Sequence, residues 1–386
     1  MALRWCLVAL WTAVSSGCAA RAIPAARSAA IAPAIRDSVR VVLVEALNDS
    51  TFPGAIAVVG RAGGILAVER VGRIDWPPDA AAPTDSTIWD LASLTKVVGT
   101  TTAIMQLWSA RRVELDDPAS HYLPRFTTPG ASRVTVRHLL AHRSGLPPFR
   151  RYFETATSAA DVLDSVYATP LDTVAGTRMV YSDVGAILLG QIVERITGQP
   201  LDSYLAANVF APLGMRETLF RPPPWQWAMV PPTEQDPWRG RAVRGEVHDE
   251  NAYALGGVSG HAGLFGSARD LSRFARMMLN GGELEGQRVL DRKALRLFTR
   301  RENGKVSHRA LGWETPNGAN SAGRLASRRA FGHTGFTGTS LWIDPERDLF
   351  VVLLSNRVNP TRASEKIHSV RVRLADAVFA AYDAAR

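Results

Sequence analysis

Strand-like patterning sits at the two ends of this chain and hardly anywhere between, and that distribution leaves few folds open. Near the start, Gly54 to Gly60 and Gly64 to Gly72 alternate apolar and polar residues around Arg61-Ala62-Gly63, the pattern of a hairpin. The alternation returns only after Ala310, in Ala310 to Glu314, Arg329 to His333, Thr339 to Asp344 and the continuous apolar run Leu349 to Leu354. The intervening chain carries helical spacing broken by Pro and Gly: Ser93 to Arg111, Val134 to Ala141, Ala159 to Tyr167, Asp183 to Thr197, Leu201 to Val209 and Leu271 to Leu279. Two more helices, over 35–48 and Ser364 to Tyr382, flank the strands. The expectation is an α/β (α+β) chain. One sheet is built from both termini (about 35–85 and 305–384), with a mostly helical lobe (about 86–304) inserted and a cleft between them.

The N-terminus reads as an export signal over 1–17: Arg4, the short apolar run Trp5 to Val14, then Ser15-Ser16-Gly17 ahead of Cys18. Small residues before a cysteine resemble a lipoprotein processing site, with Cys18 lipidated and the protein anchored at a membrane; plain secretion is the alternative. Ser15 stands where such sites usually carry Leu or Val. Residues 18–34, rich in Ala and Arg, read as a tether. Cysteines occur only at 6 and 18, so the domain beyond holds no disulfide and no thiol chemistry. The formal charge of +9 could signal nucleic acid, but no basic run with interleaved aromatics accompanies it, so a nucleic-acid partner is not expected.

The chemistry is carried by Ser93-Leu-Thr-Lys96. Residues three apart on a helix share a face, which would put the Lys96 amine beside the Ser93 hydroxyl. A serine hydroxyl is a weak nucleophile until a base takes its proton, and an ammonium cannot do so; Lys96 would have to lose its charge. With 25 serines and four lysines in 386 residues, chance alone supplies about 0.3 such pairs, so the spacing needs support.

Support comes from Tyr181-Ser182-Asp183 and His333-Thr334-Gly335, which follow in order. With His138-Leu-Leu-Ala-His142-Arg-Ser-Gly-Leu-Pro147 and Asn359-Pro-Thr-Arg362, they resemble the serine β-lactamase and penicillin-binding-protein superfamily, in its class C and esterase branch. The resemblance covers about 35–384 and implies that superfamily's fold and an acyl-enzyme mechanism without cofactor or metal. It implies Ser93 as nucleophile, Lys96 as its activator and Tyr181 as proton shuttle. It also implies an oxyanion hole from the N–H groups of Ser93 and Phe336. Asp183, Thr334 and Gly335 would line the substrate. Asn359 and Arg362 match positions that meet a substrate carboxylate; a helix cap and a solvated arginine are the alternative. Tyr181 taken alone would read as a core tyrosine, and His142 reads as a core histidine away from the chemistry.

Two positions depart from the family pattern. Asp183 replaces the usual Asn, and an acid there could pair with Lys96 and keep it charged, the wrong direction for a base, or could instead receive a proton or orient a substrate amine. His333 replaces the usual Lys and is mostly neutral at pH 7, which weakens the cationic anchor for β-lactams and D-Ala termini. Esterase-like members share that histidine.

The Gly-rich stretch Trp238 to Gly266 resembles the subgroup that includes bacterial N-acetylmuramyl-L-alanine amidases. In that reading His248, Asp249 and His261 line the substrate cleft. A metal on His248, Asp249, Glu250 and His261 fits no ligand spacing and is not expected. Trp225, Trp227 and Trp238 could stack on sugars or pack under the Pro-rich loop. The expected function is an exported serine hydrolase acting on cell-wall muropeptide amides or esters. A β-lactamase or DD-peptidase, and a non-catalytic peptidoglycan-binding module, are the alternatives. Oligomeric state is not legible.

Overall fold

A computed structural model describes residues 25–302 and 307–386, with side chains from residue 31 onward. The lipidation expected at Cys18 and the signal over 1–17 lie outside the described residues.

Five antiparallel strands form the sheet expected from the two termini: β1 (Gly54–Arg61), β2 (Gly64–Gly72), β3 (Phe331–Thr334), β4 (Ser340–Asp344) and β5 (Leu349–Ser355), in the order β3-β4-β5-β1-β2. The hinge of this arrangement is β1 against β5, with Ile56 opposite Leu354 and Val58 opposite Val352. Both strands are buried on both faces, which explains why β5 reads as an unbroken apolar run rather than an alternation.

The two faces feed different cores. Ala55, Ala57, Val59, Val351 and Leu353 face helix α1 (Ala25–Asn48) and the C-terminal helix (Ile367–Ala385), which supply Ile35, Val39, Leu43, Leu374, Val378 and Phe379. Ile56, Val58, Val352 and Leu354 face the larger core shared with the inserted helices. Small residues on one face let two helices lie close, and each large apolar side chain fully buried there contributes about 1.5–3 kcal/mol.

Three expectations change. Helix α1 begins at Ala25 and buries Ile31, so half of the expected tether is helical. Ala310 to Glu314 is not a strand: Arg309, Glu314 and Gly332 make only single bridges. Gly312 takes a left-handed φ of 84° and sits against Thr101, where a Cβ would meet Thr101 Oγ1 at 2.2 Å, so the segment bends instead of extending. Leu201 to Val209 splits into a short helix, Leu201–Leu205, and a π-helical turn, Ala206–Phe210.

Behind the inserted lobe, helix α2 (Thr102–Ser109) continues the π-helical turn Lys96–Thr101, and helix α3 (Asp183–Thr197) packs beside it. Ser182 caps α3, its hydroxyl accepting the Gly185 N–H. Gly198, at φ 71°, ends it.

Candidate active site

Ser93 sits on a turn that the chain has to be held in. Asp90 lies on the two-residue strand Trp89–Asp90, which pairs with Leu264–Gly266. Its carboxylate accepts the Ala92 N–H at 2.8 Å and the His248 N–H at 2.7 Å. Ala92 takes φ 45°, a left-handed conformation uncommon for a residue with a Cβ. Such strain persists only where surroundings over-determine it. Thr95 adds to the clamp, its hydroxyl donating to the Ala92 carbonyl at 2.6 Å and accepting the Leu264 N–H at 3.1 Å.

The Lys96 amine does lie beside Ser93, donating to Ser93 Oγ at 3.1 Å. It also donates to the His261 carbonyl at 2.9 Å and reaches Asp183 Oδ1 at 2.7 Å as an ion pair. His261 is delivered there by backbone contact: Gly190 and Gly260 approach so closely that a Cβ on Gly190 would meet the Gly260 nitrogen at 2.9 Å. Burial pulls the Lys96 pKa down, but the Asp183 carboxylate and the Tyr181 hydroxyl outweigh it. The net direction is upward, and Lys96 rests as an ammonium.

Tyr181 lies over this amine, 5.0 Å from ring centroid to Nζ. Burial raises its pKa, opposed by Lys96. Its hydroxyl is buried without a hydrogen-bond partner among the described residues, as are Asp183 Oδ1, for which Lys96 is only an ion-pair contact, and His333 Nε2. Buried polar groups are seldom left in that state, and such orphans mark places where something else docks. His142, expected away from the chemistry, stands 4.6 Å from the Tyr181 ring and accepts the Ser182 N–H. Burial, then Arg309 and Lys96, hold its pKa well below the usual histidine range, so it is neutral.

His333 is also buried and neutral, its pKa pushed well down by burial and by Arg309 and Lys96. Its Nδ1 meets the Thr334 carbonyl at 2.7 Å. A carbonyl only accepts, so Nδ1 carries the proton and Nε2 presents a bare lone pair.

The loop after β3 is stitched to the Ser93 turn. Thr337 Oγ1 donates to the Asp90 carbonyl at 2.7 Å and Thr339 Oγ1 to the Leu91 carbonyl at 3.1 Å. Gly335 is pressed into this seam: a Cβ there would lie 2.0 Å from Thr339 Oγ1 and 2.5 Å from the Leu91 oxygen. Neither the Ser93 N–H nor the Phe336 N–H has a hydrogen-bond partner among the described residues. The resulting cleft, of roughly 440 Å³, is lined by Ser93, Tyr181, Arg309, His333, Thr334, Gly335 and Phe336, among others. Asp183, with 20% of its side chain exposed, touches this group through Lys96.

The side chains of the other expected site residues do not line the cleft. His248 is buried, holds Glu234 Oε2 at 2.8 Å and stacks on Phe336 at 5.5 Å. His261 Nε2 meets Asp249 Oδ1 at 2.8 Å, and Asp249 also caps the helix Glu250–Ala254. Burial opposes the charge on Asp249, but His261 holds its pKa well below the carboxylate range. Glu250 binds Arg362, so the four residues are committed to three different contacts: His248 to Glu234, His261 and Asp249 to each other, and Glu250 to Arg362. Among the described residues no group of three or more His, Cys, Asp or Glu side chains is arranged for a metal ion. Asn359 donates to Asp75, and Arg362 is held by Glu234 and Glu250; neither lines the Ser93 cleft. Trp225 is 75% exposed, Trp227 donates to the Pro222 carbonyl, and Trp238 packs on Phe153; none of the three lines the cleft.

Sequence reasoning missed Asp90, Arg309 and Glu234. Asp90, three residues before Ser93, carried the signal of a turn acid; Arg309 and Glu234 had none, since their partners are remote in sequence.

Comparison with known proteins gives the family and the fold. A family model described as Beta-lactamase matches residues 41–375. The chain is 36% identical over 344 residues to the N-acetylmuramyl-L-alanine amidase of Bacillus subtilis (strain 168), covering 79% of this chain and 77% of the relative. It is 34% identical over 304 residues to the "Putative D-alanyl-D-alanine carboxypeptidase" of Escherichia coli (strain K12), covering 71% and 70%. Among solved structures, a penicillin-binding protein homologue from Caulobacter crescentus superposes with a TM-score of 0.72 at 20% identity, over 90% of this chain and 97% of that one. EstCE1, a hydrolase with promiscuous acyltransferase activity, gives 0.72 at 21% identity, over 90% and 99%. These structural likenesses speak to the fold.

Proposed function

The chain belongs to the beta-lactamase family, and from that premise we propose an exported serine hydrolase that cleaves cell-wall muropeptide amides or esters through an acyl-enzyme. The observation that carries this reading is the contact between Ser93 Oγ and Lys96 Nζ at 3.1 Å, with the buried Tyr181 ring 5.0 Å from that amine.

In this reading Ser93 Oγ attacks the substrate carbonyl. The developing oxyanion meets the Ser93 and Phe336 N–H groups, whose hydrogen-bonding capacity is unspent. Tyr181 passes a proton to the leaving group and later helps water attack the acyl-enzyme. The mechanism draws on no cofactor or metal. Export rests on the N-terminal sequence and on the relatives' printed names, with Cys18 as the lipid-anchoring residue. No helix among the described residues is long and apolar enough to cross a membrane.

The amidase reading draws on the relative from Bacillus subtilis. A β-lactamase or carboxypeptidase needs an anchor for a substrate carboxylate, and three residues at family anchor positions do not supply one: His333 is neutral, and Asn359 and Arg362 are occupied. The test is hydrolysis of N-acetylmuramyl-L-alanine, p-nitrophenyl acetate and a chromogenic cephalosporin, each against Ser93→Ala. Cleavage of the muramyl amide that depends on Ser93 supports the proposal. Full activity in Ser93→Ala removes it, and rapid cephalosporin turnover replaces it with a β-lactamase.

A further inference from the structure

Lys96 poses a chemical difficulty. The residue placed to deprotonate Ser93 has no lone pair to offer, because Asp183 sits 2.7 Å from its nitrogen. That nitrogen is already surrounded. Ser93 Oγ lies at 3.1 Å, the His261 carbonyl at 2.9 Å, and the Tyr181 ring covers it. Among the described residues, the other charged and titratable groups around Tyr181 offer Lys96 no carboxylate besides Asp183. Arg309 stands over Tyr181 at 5.3 Å, while His142 and His333 flank the ring as neutral groups at 4.6 and 5.8 Å. Asp249 is engaged by His261. Among the described residues Asp183 Oδ1 makes no hydrogen bond, and it lies 2.7 Å from the Lys96 nitrogen as an open proton acceptor.

We propose that Asp183 is the proton acceptor for acylation, reached through Lys96, which is an ammonium both before and after the step. This deepens the serine-hydrolase reading above and rests on it. As Ser93 Oγ forms its bond to the carbonyl carbon, the C=O π pair moves to the oxygen. The Ser93 proton passes to Lys96 Nζ while a different Nζ proton passes to Asp183 Oδ1. Charge is balanced: a carboxylate becomes a carboxylic acid and a neutral carbonyl becomes an oxyanion. When the tetrahedral intermediate collapses, the C–N or C–O bond breaks. The proton then returns from Asp183 through Lys96 and the Tyr181 hydroxyl to the leaving group. The Lys96–Asp183 contact is an ion pair rather than an aligned hydrogen bond, and such contacts commonly tighten when substrate binds. Asp183 acts through Lys96, so it is a positioning and relay residue, not one that touches the reacting carbonyl.

The experiment is the rate of Ser93 labelling by a fluorophosphonate, measured from pH 5 to pH 10 in the full domain and in Asp183→Asn. This readout does not depend on the natural substrate, so a failed muramyl assay and a failed relay are told apart. The expected unmodified profile is flat from about pH 6 to about pH 9, because a carboxylate accepts the proton. Asp183→Asn is expected to label at least about tenfold more slowly at pH 7 and to recover towards pH 10, as the free amine takes over. Labelling of Asp183→Asn within about tenfold of the unmodified protein at pH 7 overturns the relay and leaves Asp183 a mere counter-ion. So does an unmodified profile that climbs about tenfold per pH unit up to the lysine range. Should Asp183→Asn not fold, the unmodified profile alone decides. No labelling of the unmodified protein at any pH removes the serine-hydrolase reading and the relay with it.

Discussion

His142 Nδ1 accepts the Ser182 N–H at 3.0 Å, and this bond sets the backbone on which Tyr181 stands. The imidazole is also packed 4.6 Å from the Tyr181 ring. A residue that reads as ordinary core thus orients a proposed proton shuttle. His142→Ala would leave a buried N–H without an acceptor, costing about 1–3 kcal/mol. The expected outcome is a fall in Tm and in kcat for p-nitrophenyl acetate, with KM little changed. Retention of kcat would show that Tyr181 needs no such support.

Tyr181→Phe separates chemistry from stability. Among the described residues the buried hydroxyl makes no aligned hydrogen bond, so its removal lifts a desolvation cost and Tm is expected to hold or rise. Loss of the proposed proton shuttle is expected to lower kcat by about 10²–10⁴. Calorimetry and ester hydrolysis on the same preparation check both halves.

Gly335→Ala tests the seam between the two lobes. Its Cβ would be forced to about the positions of Thr339 Oγ1 and the Leu91 oxygen, at 2.0 and 2.5 Å. The strand end must move away from Ser93, taking the Phe336 N–H with it. Fluorophosphonate labelling of Ser93 is expected to slow by at least about 10²-fold, in line with loss of one proposed oxyanion donor.

Asp270 gives a pH signature independent of catalysis. It is fully buried on helix α4 (Ala268–Leu279), accepting the Glu217 N–H and the Thr218 hydroxyl. Burial, then the Glu217 carboxylate beside it, push its pKa up to about 7 from an ordinary 3.8. The folded protein therefore holds this proton more tightly than the unfolded chain. The stability it lends is complete below about pH 4 and is lost as pH rises to about 7. Asp270→Asn keeps the shape and never ionises. Its Tm is expected to match the parent near pH 4 and exceed it at pH 8; equal values at pH 8 would show that Asp270 is not the group responsible.

Much of the fold was legible because it is written in local periodicity. Gly54 to Gly72 and Leu349 to Leu354 read as strands since their neighbours in space are also their pattern in sequence. Ala310 to Glu314 failed for the converse reason. Its alternation is real, but the close approach of Gly312 to Thr101 turns the chain away. The site divides in the same way. Ser93 ends the turn that leads directly into the helix carrying Lys96, so three residues of sequence place them together. The resemblance then supplied Tyr181 and His333 as partners, and the structure brings both to the same cleft.

What the sequence by itself determined is the sheet drawn from both termini, the Ser93–Lys96 contact and the identity of the residues around it. What only the tertiary structure decided is their electrical state and their company. Asp183 holding Lys96 charged, His333 held neutral, and Asn359 and Arg362 drawn off to Asp75, Glu234 and Glu250 depend on burial and on distances between remote segments. Coulombic and desolvation effects are set by those distances and by excluded water, and neither is encoded in any local stretch of chain.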